Sequence, residues 1–216
     1  QISKNEKRKA FYTQNRAIEC SLILGIPAFI SIFIIADPII SSFFERGEFS
    51  ATDRILSAKA LQAFAVGIPA YILVKILMPI FFARQNTVTP VKIAIFCVFI
   101  NFLFNIILMQ FYQHVGIAIA TAISSWLNCI LLLYVLLKSN EVVFDKLLKE
   151  NFKKILIANI IFAILVYYFK DFINIYSSYK FLNLSIFVLL GISFYVLLLN
   201  FFKIFIFSNF QLFKLR

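Results

Sequence analysis

Residues 43–92 read FFERGEFSATDRILSAKALQAFAVGIPAYILVKILMPIFFARQNTVTPVK. This stretch holds a polar hairpin at 45–57, a long apolar segment with Lys75 near its middle, and a short basic loop that ends in Thr89-Pro90. Apolar runs of about 20 residues separated by short charged loops are typical of proteins that cross a membrane several times. The stretch therefore predicts a polytopic membrane protein.

The composition also favours a membrane protein over a soluble one. Of the 216 residues, 62% are hydrophobic, and the mean hydropathy is +0.92, whereas soluble domains are close to half apolar. A net charge of +11 would suggest nucleic-acid binding in a soluble protein. Here the basic residues lie in loops beside the apolar runs, so they are interpreted as signals of membrane orientation, and no nucleic-acid partner is predicted.

Residues that carry metal or enzyme chemistry are sparse. Cys20, Cys97 and Cys129 lie in or beside apolar segments without metal-like spacing, so we predict neither a disulfide framework nor a zinc site. His114 is the only histidine and lies in a predicted turn. The sequence has no HExxH, no Gly-rich phosphate loop and no G-x-S-x-G motif. These features argue against an enzyme, and no organic cofactor is predicted.

The predicted fold is an all-α polytopic membrane protein with about six transmembrane helices. The first segment contains Pro27 and Asp37-Pro38, so we expect a kink or an early end near Asp37. The basic amphipathic segment 138–152 is predicted to lie on the cytoplasmic membrane surface, between four linked helices in residues 1–137 and a helix pair in 153–216. The six predicted spans are 17–44, 58–83, 92–112, 115–137, 153–170 and 181–207.

The distribution of Lys and Arg predicts the orientation. Fifteen basic residues lie on the side of the two termini and five on the opposite side. Because cytoplasmic loops are enriched in Lys and Arg, both termini are predicted to be cytoplasmic and the 45–57 hairpin extracytoplasmic. The chain starts at Gln1 in a charged stretch without an initiator Met, which suggests a fragment of a longer protein.

Two basic residues are candidates for a substrate path. Lys75 lies mid-span, where a charge costs about 2.5–3.5 kcal/mol and usually faces a cavity or a partner. It either lines a path for an anionic substrate or snorkels to the membrane surface or pairs with a carboxylate. Arg84 belongs to a polar loop that either meets a diphosphate headgroup or is a solvated turn. Asp37 is interpreted as an interfacial residue rather than an ion site.

A polar cluster is predicted between the third and fourth spans. Asn101 and Asn105 share one helix face, and Thr121, Ser125 and Asn128 share another. Their oxygens, with a freed backbone carbonyl, could coordinate Na⁺. The alternative is hydrogen bonding between helices that approach closely through the small residues at 116, 120 and 124.

Three stretches, 43–53, 63–95 and 114–128, resemble the MurJ (MviN) family of lipid II flippases in wording, order and spacing. The resemblance implies an exporter-type fold of fourteen helices, in which this chain is similar to helices nine to fourteen. Residues 1–137 would then form part of the second lobe, 138–152 a linker, and 153–216 the terminal pair. The partner implied is an upstream half of the transporter.

The resemblance also implies a function. Family members move lipid II, an undecaprenyl-diphosphate glycolipid, across the bacterial inner membrane by alternating access. Lys75 and Arg84 stay the candidates of this sequence for the substrate path. It further implies a Na⁺ site at Asn101, Asn105, the Ile117 carbonyl and Thr121, with Asn105 standing where the family pattern has a carboxylate. Three alternatives stay open: an exporter of another polyprenyl-linked glycan or a drug, a membrane enzyme acting on glycolipids, and a non-transporting gene remnant.

Overall fold

The computed structural model describes residues 4–45, 47, 49–174 and 180–204. Every regular element in these residues is helical, and six helices are long and apolar enough to cross a membrane. The predicted all-α fold with six spans is therefore confirmed. The helices are α1 (Lys4–Ile34), α2 (Ala36–Phe44), α3 (Ala51–Ala83), α4 (Val88–Tyr112), α5 (His114–Lys138), α6 (Lys146–Phe169) and α7 (Lys180–Phe201), with a 3-10 turn at Lys170–Asn174.

The first predicted span is divided into two helices. Only Ile35 separates α1 from α2, so the interruption comes just before Asp37, where a kink or an end was predicted. Pro38 lies in the first turn of α2, where its missing N–H needs no intrahelical acceptor. Two backbone hydrogen bonds, from Ile35 N to Ser31 O and from Ile39 N to Ile35 O, bridge the interruption and keep the two helices joined end to end.

α3 is the longest helix and starts before the predicted residue 58. Ser50 and Asp53 form a capping box, in which each side chain accepts a hydrogen bond from the other residue's backbone N–H. This cap satisfies donors that the first helical turn would leave unpaired. At about 1.5 Å per residue the 33 residues extend roughly 50 Å, which is longer than the hydrocarbon core of a bilayer is thick.

Two hydrophobic cores are built around α1. In the first, α1 packs with α3, α5 and the α5–α6 connection. In the second, α1 packs with α6, α7 and the 3-10 turn, which attaches the terminal pair to the rest of the chain. The buried residues of the first core include Ile18, Leu77, Phe81, Leu132 and Val142, and those of the second include Ile23, Ile155, Phe162, Ile173 and Phe187.

α4 lies at the edge of the molecule. It packs mainly against α5, and Pro90 and Cys97 are its buried residues. Most of its other apolar side chains are exposed in the part of the chain that the structure describes. In a bilayer such a surface carries no hydrophobic penalty, because lipid tails are as apolar as the side chains.

The connection between α5 and α6 is shorter than the predicted linker 138–152. α6 already begins at Lys146, where the Asp145 side chain caps it by accepting a hydrogen bond from Leu148 N at 2.6 Å. Leu148 and Asn151 are buried. The apolar side of the predicted surface helix therefore packs inside the protein, and residues 146–152 form the first turns of a spanning helix.

Some predictions lie outside the described residues. These are the end of the sixth predicted span at 205–207 and the basic residues Arg46, Lys214 and Arg216 that entered the orientation count.

Candidate functional site

Lys75 lies on a face of α3 that no described residue covers. Phe64, Tyr71 and Phe82 are exposed on the same face. Tyr71 lies seven residues after Phe64 and four before Lys75, and Phe82 lies seven residues after Lys75, which are spacings that keep side chains on one side of a helix. The opposite side of α3 carries the buried residues that pack on α1 and α5. The lysine forms no hydrogen bond or ion pair with any residue that the structure describes. The alternative in which Lys75 pairs with a carboxylate of this chain is thus not realised among those residues.

The second predicted path residue, Arg84, is not close to Lys75. Nine residues of helix separate them, which corresponds to about 13 Å along the axis. Arg84 caps the end of α3, and its Nη1 lies 3.9 Å from Glu141 Oε1 on the α5–α6 connection. Asn86 in the same loop accepts a hydrogen bond from Thr89 N at 3.1 Å and so helps to start α4. The structure gives this loop a role in joining helices.

The predicted polar cluster does form between α4 and α5. Asn101 Nδ2 donates to Ser124 Oγ at 3.1 Å, across the two helices. Asn105 Nδ2 donates to Asn101 Oδ1 at 2.9 Å, and Thr121 Oγ1 donates to the Ile117 carbonyl at 2.8 Å. The four predicted Na⁺ ligands therefore lie in one region. Two amide oxygens of the predicted cluster, Asn105 Oδ1 and Asn128 Oδ1, are buried and accept no hydrogen bond from a described residue.

Small side chains let α4 and α5 approach. A Cβ atom placed on Gly116 would lie 2.3 Å from the Leu108 carbonyl oxygen, so only glycine allows this contact between the helices. Ala120 is fully buried and Ser124 nearly so. On the other side of α5, Trp126 Nε1 donates to the Val66 carbonyl of α3 at 2.8 Å. The cluster is thus held on a helix that is fixed from both sides.

Two charged clusters connect helices that are far apart in sequence. The first, called the hairpin cluster, comprises Asp37, Ser41, Glu45, Arg54 and Lys180. Glu45 accepts from Lys180 Nζ at 2.7 Å and from Arg54 Nη1 at 3.2 Å, and Arg54 Nε lies 3.1 Å from Asp37 Oδ1. Hydrogen bonds from Lys180 and Ser41 lower the pKa of the Glu45 carboxyl to about 2. Glu45 therefore stays ionised at neutral pH. The cluster ties α7 to α2 and α3.

The second group, called the linker cluster, comprises Asn15, Arg16, Glu19, Asp145 and Asn151. Arg16 Nη2 donates to both Asp145 oxygens at 2.9 and 3.0 Å, and Arg16 also pairs with Glu19. Asn151 donates to Glu19 at 2.5 Å. Because Glu19 is only 4% exposed, these partners are needed to offset the loss of its hydration. The linker cluster fixes α6 against α1.

Sequence reasoning missed both clusters. Arg16 and Glu19 are three residues apart on α1, a local spacing that can signal a pair. Their partners Asp145 and Asn151 lie some 130 residues away in sequence. Lys180 is equally distant from Glu45. No periodicity within a single segment identifies such a contact.

A family model, Lipid II flippase MurJ, matches residues 1–200 of the chain. The chain is 38% identical over 177 residues to a probable lipid II flippase MurJ from Rickettsia prowazekii, covering 80% of this chain and 34% of that protein. It is 36% identical over 169 residues to a protein of the same description from Haemophilus influenzae, covering 78% and 33%. The chain thus spans about a third of the length of the curated relatives it matches.

A solved structure has the same fold. It is described as lipid II flippase MurJ in an inward closed conformation, and it superimposes with a TM-score of 0.75 at 26% sequence identity. The match covers 92% of this chain and 40% of the other. The family description is that of a transporter rather than an enzyme. On the family-model match and the shared fold, this multi-pass membrane chain is a member of the MurJ lipid II flippase family.

Proposed function

We propose that the chain supplies part of the second lobe and the terminal helix pair of a flippase that carries lipid II across the bacterial inner membrane. It would act together with an upstream half, by alternating access between the two membrane faces. The position of Lys75 is the observation that carries this proposal. It is a mid-span cation with no partner among the described residues, on a face that also presents three aromatic side chains.

The chemistry of Lys75 fits an anionic lipid substrate. An unpaired lysine in the membrane interior costs several kcal/mol, and such residues usually face a water-filled path or a bundle interior. If the exposed face of α3 turns toward a second lobe, the ammonium group enters the space between the lobes. There it would attract the diphosphate of the substrate, and the aromatic rings would contact its apolar or sugar groups.

The orientation proposed is the one with both described ends in the cytoplasm. The excess of Lys and Arg on that side supports it. The hairpin cluster would then lie at the extracytoplasmic face, and the linker cluster and Arg84 at the cytoplasmic face.

We also propose that the polar cluster between α4 and α5 binds Na⁺. Asn105 Oδ1 supports this, because it is a buried oxygen to which no described residue donates a hydrogen bond, and Na⁺ is coordinated by oxygen ligands of this kind. Thr121 Oγ1 and the Ile117 carbonyl would add two ligands, and Asn101 would orient Asn105 through their hydrogen bond. The remaining ligands would come from water or from another part of the transporter.

The test of the transport proposal is complementation of cells depleted of their own flippase. The chain is expressed joined to an upstream half, either unchanged or with Lys75→Met. Lys59→Met is the matched control, because Lys59 is an exposed lysine near the other end of α3. We expect growth with the unchanged protein and the control, and lipid II accumulation in the inner leaflet with Lys75→Met at equal membrane expression. Equal growth of all three would remove Lys75 from the substrate path.

A further inference from the structure

An open cleft of about 440 Å³ lies where the start of α1 meets the α5–α6 connection. Neither the proposed substrate path nor the Na⁺ site includes it. It is lined by Arg8, Lys9, Phe11, Tyr12, Val143 and Asp145, with Asn15 at its buried side. We propose that this cationic cleft binds a phospholipid with an anionic phosphate headgroup.

The cleft lies at the level where lipid headgroups are found. The apolar runs of the sequence begin at about residue 17 in α1, end at about residue 137 in α5 and begin at about residue 153 in α6. The residues that line the cleft therefore lie just outside these three runs, on the same side of all three helices. Phospholipid is the amphiphile present at this level at high concentration in every bilayer, which is why we choose it as the occupant.

The charge still unpaired in the cleft is positive. Arg8 and Lys9 are exposed and make no ion pair with a described residue. Asp145 is the one carboxylate among the described lining residues; it pairs with Arg16, which it shares with Glu19, and it accepts a hydrogen bond from Leu148 N. A phosphate group accepts hydrogen bonds from arginine and lysine side chains, and basic pockets between spanning helices bind anionic headgroups.

The rest of the cleft is suited to the apolar part of the same ligand. Phe11, Tyr12 and Val143 present carbon surface. The side-chain amide of Asn15 is already hydrogen-bonded within the protein. It donates to Phe11 O and Val143 O at 2.8 Å each and accepts from Asp145 N at 3.2 Å. Among the described residues, the cleft thus offers Arg8 and Lys9 at its rim, and the amide of Asn15 at its floor is already hydrogen-bonded. That combination fits a lipid better than a fully polar anion.

Binding of phosphatidylglycerol to the full chain, measured by native mass spectrometry from micelles, tests the proposal without any transport assay. The variant is Arg8→Gln with Lys9→Gln. The matched control is Lys149→Gln with Lys153→Gln, which removes the same charge from exposed sites of α6 outside the cleft. Each basic residue near a membrane contributes about fivefold to binding of anionic lipid, so the cleft variant is expected to bind roughly thirtyfold more weakly. The control and binding of phosphatidylcholine to the unchanged chain serve as references.

Three outcomes would overturn the proposal. One is an equal loss in the cleft variant and the control, which would mean that binding depends on general surface charge. Another is phosphatidylcholine binding as tight as phosphatidylglycerol binding. The third is displacement of phosphatidylglycerol by inorganic phosphate at matched concentration, which would identify a free-anion site. Because all variants keep their buried contacts, unchanged thermal unfolding is the check that each protein is folded.

Discussion

Gly116→Ala is expected to separate α4 from α5. The added Cβ would lie 2.3 Å from Leu108 O and 2.9 Å from Met109 N. Ordinary carbon contacts begin about 1 Å farther out, and both atoms belong to the backbone, so a whole helix end has to move. Overpacking of this kind costs about 1–3 kcal/mol. The gain in helix propensity from Gly to Ala is at most about 1 kcal/mol and smaller in a first turn, so the net effect is destabilising by about 1–2 kcal/mol.

The same substitution elsewhere in the chain provides the control. A Cβ on Gly191 in the middle of α7 would meet only the Phe162 ring, at 3.9 Å, which is an ordinary contact. Gly191→Ala is therefore expected to be neutral or to stabilise the chain by up to about 1 kcal/mol. A Cβ on Gly25 would approach Pro69 Cα to 3.2 Å. The change in stability caused by Gly25→Ala should lie between those of the other two variants. The three positions therefore form a graded series for the same substitution.

The rate of thiol labelling measures the separation of α4 from α5. Cys97 is 5% exposed on α4, and Cys129 is 3% exposed on α5 and belongs to the first core. In a Cys20→Ser background, Gly116→Ala is expected to speed labelling of Cys97 by a fluorogenic maleimide in detergent, while Cys129 stays protected. If Cys97 is labelled at the same rate in Gly116→Ala and Gly191→Ala, the contact at Gly116 does not hold the helices together and the reasoning fails.

Three further results are expected. Glu45→Gln should loosen α7, seen as faster proteolysis near Lys180, by about 1 kcal/mol, because both side chains are about one-third exposed and water screens the pair. Since the pKa of Glu45 is lowered to about 2, its contribution to stability is complete above about pH 4.5 and is lost as the pH falls toward 2. Equal rates of proteolysis near Lys180 at pH 7 and pH 2 in the unchanged chain would contradict this. Trp126→Phe should destabilise the contact between α3 and α5 by about 1 kcal/mol through loss of one buried hydrogen bond, measured by thermal unfolding against Tyr134→Phe, an exposed aromatic control. Cysteines placed at Ser50 and Thr87 should be labelled from opposite sides of the membrane, Ser50 from outside and Thr87 from the cytoplasm; the reverse would overturn the proposed orientation.

Segment by segment, sequence reasoning was most successful where a local pattern decides the structure. The lengths of the apolar runs predicted six spans, and Pro38 marked the interruption of the first. The small residues around Gly116 and the amides at Asn101 and Asn105 predicted a close helix pair with polar contacts, which the structure confirms. Each of these signals lies within one helix or two adjacent helices, so periodicity is enough to find it.

It was less successful where a segment has a choice of surroundings. The amphipathic segment 138–152 was expected on the membrane surface, because an apolar face next to basic residues suits the bilayer interface. In the structure Leu148 is buried in the first core and Asn151 pairs with Glu19. Covering an apolar face with lipid or with protein lowers its free energy by a similar amount. Only the position of α1 determines that protein covers the apolar face of this segment.

The amino-acid sequence by itself determined the membrane environment, the all-helical fold and the family resemblance. In water-free surroundings a segment of about 20 apolar residues can satisfy its backbone within itself only as a helix, so the lengths of the apolar runs support that conclusion. The tertiary structure alone decided which charges meet. Arg16 with Asp145, Glu45 with Lys180, and the unpaired cations of the cleft depend on how helices more than a hundred residues apart come together. Ion pairs between helices that are distant in sequence have no sequence period, because their energy depends on distance in space and on burial rather than on spacing along the chain.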